Sequence, residues 1–249
     1  MALASMSEIF ERMARNGQEF WEVVLADDMD ERQVSREASM AKMLTTWQAM
    51  QDAADSYTGR KRSVSGLVGG DGMKMRQYTF RGCAMTGGYV SEVIAEALSM
   101  AESNACMRRI VAAPTAGACG VLPAVLLPLC KYEELTQHQL LEALYVAAGI
   151  GSVIAYKASI AGASGGCQAE IGTASAMAAG ALVALRGGEG EQIGHAVAMA
   201  LKNLMGLVCD PVAGLVEVPC VKRNVIGAVN AVSAADMALA GIESRIPVD

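Results

Sequence analysis

Between Ser7 and Tyr57 the apolar residues Ile9, Phe10, Met13, Phe20, Val23, Val24 and Leu25 recur near helical spacing with charges between them, which predicts helices that bury one face. Ser35-Arg36-Glu37 reads as a helix start ahead of Met40, Met43, Leu44 and Trp47, although Ala38 stands where a capping box would have Glu. A helical N-terminal arm is expected over residues 1–57, running to about Asp55. Ser56 to Arg62 is polar and basic, and Ser63 to Gly72 is too rich in glycine for a regular helix, so a loop is expected there. From about Tyr89 the pattern changes to Ala-rich apolar segments, roughly 89–106, 119–131, 136–160, 171–186, 190–205 and 223–241. Few alternate as strands do, and their Ala, Leu and Met content favours helices.

The breaks between these segments fall at Ala113 to Gly117, Gly162 to Cys167 and Gly206 to Gly214. Each places backbone N–H groups near a helix start. No fixed-period repeat appears. The expected fold is mainly α: a single compact all-helical domain over 1–249, with glycine-rich connecting loops forming the functional site.

Composition narrows the chemistry. Hydrophobic residues make up 53% of the 249 positions and aromatics only 4%, so Ala, Val, Leu, Ile and 16 Met must fill the interior. Small side chains suit closely packed helices. A formal charge of −6 and no basic stripe argue against nucleic acid, whose binding rests on clustered Lys and Arg. The uncharged stretches 143–156 and 171–185 are shorter than a bilayer crossing needs, so no membrane is expected. The first residues lack the charged-then-apolar order of a secretory signal, which points to the cytoplasm.

Seven cysteines, at 83, 106, 119, 130, 167, 209 and 220, form an odd set in a chain without such a signal, which disfavours disulfides. Cys106 and Cys130 sit inside apolar patterns and read as packed thiols. Cys167, Cys209 and Cys220 stand instead in breaks marked by glycine or proline, where their sulfurs face a shared space. Their spacing matches no zinc ribbon and no ferredoxin. On spacing alone, a three-cysteine metal site and three idle thiols both remain open.

Motifs go further. The segments Ala112-Ala113-Pro114-Thr115-Ala116-Gly117-Ala118-Cys119-Gly120 and Gly165-Gly166-Cys167-Gln168-Ala169-Glu170-Ile171-Gly172, and the long run from Leu201-Lys202-Asn203 through Cys209-Asp210-Pro211 to Pro219-Cys220-Val221-Lys222-Arg223-Asn224, resemble the α-chain of bacterial iron–sulfur L-serine dehydratases. The likeness extends from Ser63-Val64-Ser65-Gly66-Leu67-Val68-Gly69-Gly70-Asp71 to Ala235-Asp236-Met237-Ala238-Leu239-Ala240-Gly241-Ile242. The resemblance implies a four-iron four-sulfur cluster held by Cys167, Cys209 and Cys220, with one iron left without a cysteine. An open iron acts as a Lewis acid toward a hydroxyl and is expected to be oxygen-sensitive. Cys119 reads as a packing residue beside the site.

The implied reaction converts L-serine to pyruvate and ammonia, a step of amino-acid degradation that feeds gluconeogenesis. It needs a base for the α-proton and donors for the substrate carboxylate. Thr115, Ala116 and Gly117, and Ser164, Gly165 and Gly166, are the expected carboxylate-binding turns, with tight helix connection as the plain alternative. Among Lys74, Lys157 and Lys222, the base is assigned to Lys157 because it interrupts an apolar segment ahead of Ser159 and Ser164. Asp71 and Glu170 are alternative acid–base groups or else caps and ion-pair partners. His138 and His195 read as surface residues.

Family members are one fused chain or two chains, the second a smaller β-chain that adds a Ser- and His-containing motif to the active site. That motif is missing here. The resemblance therefore implies a separate α-chain working with a β-chain in an oligomer, and ending a few dozen residues earlier than typical members. Alternatives are a related desulfidase acting on L-cysteine and a non-catalytic metal-binding subunit. A pyridoxal-phosphate dehydratase has only the glycine turns in its favour.

Overall fold

The computed structural model describes residues 3–215 and 217–249. Among them the chain forms eleven α-helices and one 3₁₀ turn, with no strand beyond an isolated bridge between Val212 and Leu215. The mainly helical class expected from composition is the class that forms. The first three helices are α1 (Met6–Asn16), α2 (Phe20–Arg32) and α3 (Arg36–Asp55). Ser5 and Ser35 cap α1 and α3 by accepting from the N–H groups of Glu8 and Ala38 at 3.0 and 3.2 Å, satisfying donors that a helix start leaves free. Phe20, Val23, Val24 and Leu25 of α2 are buried against the longer α7 (Gln137–Lys157).

One helix has no counterpart in the apolar pattern. α4 (Asp71–Phe80) follows directly on the glycine-rich loop and buries only Gly72. Its start is held from a distance by α5 (Gly87–Ala105). The carboxylate of Glu102, 1% exposed, accepts from the backbone N–H groups of Gly70, Asp71 and Gly72 at 3.1, 2.8 and 3.3 Å. The Tyr57 hydroxyl donates to the same carboxylate. A buried negative charge thus sits at a helix N-terminus, where free N–H groups and the helix dipole both favour it.

The core is built around α9 (Cys167–Leu185), on which α6 (Val121–Tyr132), α7, α10 (Gly190–Leu204) and α11 (Glu217–Leu239) pack. Every residue of α9 from Ile171 to Val183 is buried, as a helix apolar all round must be. α7 is long and apolar enough to cross a bilayer by length and composition. Here it is a core helix, packed on α2, α3 and α9. Close approach of α9 and α11 depends on Gly227, where an added Cβ would stand 2.7 Å from Ile171. The Ser175 hydroxyl donates to the Gly227 carbonyl at 2.8 Å, and Asn230 donates to both Ser175 and the Ala200 carbonyl at 2.9 Å. These buried polar pegs fix how α9, α10 and α11 sit against one another.

Two boundaries differ from the sequence reading, and both concern cysteines. α9 begins at Cys167 and α11 at Glu217, ahead of the expected 171 and 223. Cys167 and Cys220 therefore lie in first turns of helices, and of the three only Cys209 lies in a connecting loop. Pro219, which on sequence marks a break, lies within the first turn of α11, where a proline removes an N–H that has no partner anyway.

Candidate active site

Three backbone features bring the cysteines to one place. Gly166 precedes α9 at φ 72 and ψ −170, a conformation open to glycine and strained for other residues. It turns the chain so that Gln168, in the first turn of α9, bonds the loop after α10 twice: its N–H donates to the Leu207 carbonyl and its side-chain oxygen accepts from Gly206, each at 2.8 Å. That loop then crosses Gly166 at van der Waals distance, the Cys209 nitrogen lying 3.3 Å from where a Cβ would be. Cys167 and Cys209 become neighbours although 41 residues intervene.

Cys220 arrives on α11. One turn later Asn224, fully buried, donates to the carbonyls of Cys220 and Gly117 and accepts from the Gly120 N–H, each at 2.8 Å. A single amide side chain so ties the turn at 117–120 to the cysteine-bearing helix. Asp71 is drawn to the same helix by Lys222, and a second lysine, Lys74, donates to it at 2.8 Å. These two ammonium groups hold its carboxyl at about 2.

Cys167, Cys209 and Cys220 line one cavity of about 430 Å³, together with Gly117, Gly162 and Glu170. Burial pushes the Cys220 thiol up to about 12, with the charges of Cys167, Glu170 and Cys209 adding to the shift. Thiols this close resist ionising together until a cation compensates them. Among the described residues no three His, Cys, Asp or Glu side chains close on the point where a single metal ion would sit. Three cysteine sulfurs around a common space are the ligand type that iron–sulfur clusters take. Arg223 reinforces the arrangement. Its Nη1 donates to the Cys167 sulfur and to the Val208 carbonyl, both at 2.9 Å, and its Nη2 pairs with Asp210 at 2.6 Å.

Glu170 is lodged between the two other loops. A methyl group on Gly117 would come within 2.8 Å of its Oε2, and one on Gly162 would collide with the same oxygen. No hydrogen-bond donor and no cation among the described residues pairs with it, so it is neither cap nor ion-pair partner there.

The two turns expected to bind a carboxylate differ in what they leave free. Gly117 lines the cysteine cavity, the Thr115 hydroxyl is buried without a partner, and the N–H groups of Ala116 and Gly117 meet no acceptor among the described residues. By contrast the N–H groups of Ser164, Gly165 and Gly166 are used within the short helix α8 (Gly162–Gly165), on the carbonyls of Ala161 and Gly162 at 2.9–3.1 Å. Lys157 lies elsewhere. It pairs with Asp249 at 3.0 Å and lines a neighbouring, mostly apolar cavity with Gly165 and Gln168. Cys119 is fully buried, its sulfur 3.7 Å from the Met100 carbonyl. His138 pairs with Glu142 at 2.9 Å, and His195 accepts from Ser244 at 3.4 Å. The sequence reading passed over Arg223 and Asn224. Their signal was the spacing: three and four residues past Cys220 put them on one helix face with it, once the helix is known to begin before 223.

All seven cysteines are free thiols. The family model described as "Serine dehydratase alpha chain" matches residues 15–249. A "Probable L-serine dehydratase, alpha chain" of Bacillus subtilis is 46% identical over 228 residues, 92% of this chain and 76% of that protein. The "L-serine dehydratase, alpha chain" of Peptoniphilus asaccharolyticus is 38% identical over 248 residues, 99% of this chain and 85% of that one. A namesake of the first from Latilactobacillus sakei is 55% identical over 158 residues, covering 64% of this chain and 76% of that protein. With cysteines, glycine turns and family match spread over the same length of sequence, the chain belongs to the serine dehydratase alpha chain family.

Proposed function

We propose that this chain is the cluster-bearing half of a cytoplasmic L-serine dehydratase, working with a β-chain, and that Cys167, Cys209 and Cys220 hold a four-iron four-sulfur cluster with one iron free of cysteine. The observation that carries the reading is the convergence of these three sulfurs on one cavity that Gly117, Gly162 and Glu170 also line. When bound, the cluster supplies Lewis acidity for departure of the serine hydroxyl. Loss of water leaves an enamine, which becomes an imine and hydrolyses to pyruvate and ammonia. No net oxidation occurs.

The protein's own part is holding and orienting. The Thr115–Gly117 turn reaches the cavity at Gly117 and offers the substrate carboxylate two unengaged N–H groups, fixing it beside the cysteines. Asn224 keeps that turn in place. Ser164, Gly165 and Gly166 close the loop that presents Gly162 and Ala163 to the cavity. Lys157, the expected proton acceptor, has to part from Asp249 and cross to the cysteine side of that loop to act. A β-chain fits the surface beside the cavity, where Val64, Leu67, Val208 and Val212 are exposed on the segments that carry Ser65 and Cys209. Neighbouring exposed apolar side chains of this kind mark interaction surfaces.

The test is anaerobic purification with and without the β-chain, followed by iron and sulfide counts and a pyruvate assay with L-serine and, separately, L-cysteine. The reading expects about four irons per chain and pyruvate from serine that depends on the β-chain. Bound iron without turnover in the two-chain complex overturns it in favour of a structural metal subunit, and faster release from cysteine overturns it in favour of a desulfidase.

A further inference from the structure

We infer that Glu170 receives the α-ammonium group of the substrate and is the residue that selects an amino acid over the matching 2-hydroxy acid. This deepens the reading of the site given above and rests on it. Glu170 is the one carboxylate on the cavity wall, among the described residues, that is left without a partner. Glu217, the other acidic residue lining the cavity, already accepts from Ser65 at 2.6 Å. Two cations close to the cysteines are engaged elsewhere: Arg223 with Cys167, Val208 and Asp210, and Lys222 with Asp71. A carboxylate that faces a cavity without a countercharge is free to meet a cation that arrives there.

Two glycines seat this carboxylate at the cavity. The backbones at 117 and 162 abut it so closely that a Cβ on either would stand within 2.8 Å of its Oε2, so its position depends on both being glycine. The same cavity wall holds three sulfurs, and Gly117 belongs to the turn assigned to the substrate carboxylate. A serine zwitterion carries hydroxymethyl, carboxylate and ammonium groups on one carbon. Sulfur side, Thr115–Gly117 turn and Glu170 supply one environment for each. A hydroxy acid presents a neutral hydroxyl to Glu170 and leaves its charge uncompensated.

The experiment uses the two-chain holoenzyme prepared anaerobically, as wild type, Glu170→Gln and Glu170→Asp, with Gly162→Ala as an independent variant that crowds the carboxylate without removing it. Iron and sulfide content and the visible spectrum are recorded for each. Binding of L-serine and of L-glycerate is measured by calorimetry, alongside KM and kcat for serine. Glu170→Gln is expected to weaken serine binding and raise KM roughly 10- to 100-fold, the size of one lost charge-assisted contact. Glycerate affinity and iron content are expected to stay within about threefold, a change worth under about 1 kcal/mol. Gly162→Ala is expected to weaken serine more than glycerate, and Glu170→Asp to restore part of the preference.

Equal weakening of both ligands, or no change in either, overturns the assignment. Loss of iron from Glu170→Gln assigns the carboxylate to the cluster instead, and a fall in kcat at unchanged KM assigns it to proton transfer. Either result also overturns the ammonium role. A wild type that holds no iron or makes no pyruvate counts against the dehydratase reading itself, while the serine-to-glycerate comparison is still read by calorimetry.

Discussion

Arg223 donates through one nitrogen to both the Cys167 sulfur and the Val208 carbonyl, each at 2.9 Å, so a single guanidinium joins the start of α9 to the loop that carries Cys209. Its other terminal nitrogen is fixed by Asp210. A planar fork with several donors serves three acceptors at once, which the ammonium of lysine does less well.

Arg223→Met is therefore expected to loosen the Cys209 loop and lower cluster retention. Replacing residues that orient metal ligands commonly costs about 10- to 100-fold in affinity. The check is the iron-to-protein ratio after anaerobic gel filtration, with Arg223→Lys expected to fall between wild type and Met. Full retention of iron in Arg223→Met would show that the three cysteines hold their positions without it.

Asn224 makes a different prediction because its three partners are backbone groups. Asn224→Ala leaves the Gly120 N–H and the Gly117 carbonyl without a partner in a buried place, where one unsatisfied group costs about 1–3 kcal/mol, while the Cys220 carbonyl keeps its backbone bond within α11. A loss of about 3 kcal/mol in urea unfolding of the cluster-free chain is expected, taking partial compensation into account. Asn224→Asp keeps the acceptor for Gly120 and loses the donors, so it is expected to be destabilised as well.

How far the sequence foretold this arrangement depends on whether the relevant interaction is local. Helices with periodic apolar faces and local caps, such as α3 behind Ser35, are readable from their own residues. α4 is not, because what holds its start is Glu102, about thirty residues away on α5. The three cysteines stood out through motif resemblance and not through spacing, since the bonds that bring 167 beside 209 are Gln168 to Gly206 and Leu207. Glu170 was visible only as one of two acidic candidates. What sets it apart is the pair of glycines facing it from separate loops, a tertiary fact without a local signature.

Asp71 carries a pH prediction. Lys222 and Lys74 hold its carboxyl at about 2, below the ordinary value near about 4. A group whose pKa is depressed by folding stabilises the folded state above its unfolded pKa, and that contribution disappears as pH falls through the folded value. The stability difference between wild type and Asp71→Asn should therefore be full at pH 7 and shrink between about pH 4 and pH 2. Because Asp71 is a third exposed, the difference is expected to be modest and to diminish in high salt. Urea unfolding at a series of pH values measures it, and a constant difference down to pH 2 would contradict the pairing.

Lys157 separates a proton-transfer role from a structural one. Its ammonium is tied to Asp249, whose carboxylate also accepts from the N–H groups of Met6 and Ser7 at 2.9 and 2.7 Å. Lys157→Met is expected to lower stability by less than about 1 kcal/mol, as for other partly exposed pairs, and to change kcat only a few-fold. Loss of a general base typically costs about 100- to 10,000-fold. A drop of that size at intact iron content would return the proton to Lys157.

Cysteine replacements give the sharpest contrast, because burial and cluster binding predict opposite orders. Cys119 is fully buried, and burial pushes its thiol up to about 12, so it stays protonated and packs as a small apolar group. Cys209 is exposed and contributes little to the core. Cys119→Ala should therefore cost about 1 kcal/mol of stability with iron unchanged, and Cys106→Ala should also retain its iron. Cys209→Ala should leave the unfolding of the cluster-free chain unchanged, and Cys209→Ala, Cys167→Ala and Cys220→Ala should each abolish cluster retention. Iron counts and urea unfolding on the same five variants check both orders together. If the exposed Cys209 proves dispensable for iron while the buried Cys119 does not, the cluster is held by a different set of thiols from the one lining this cavity.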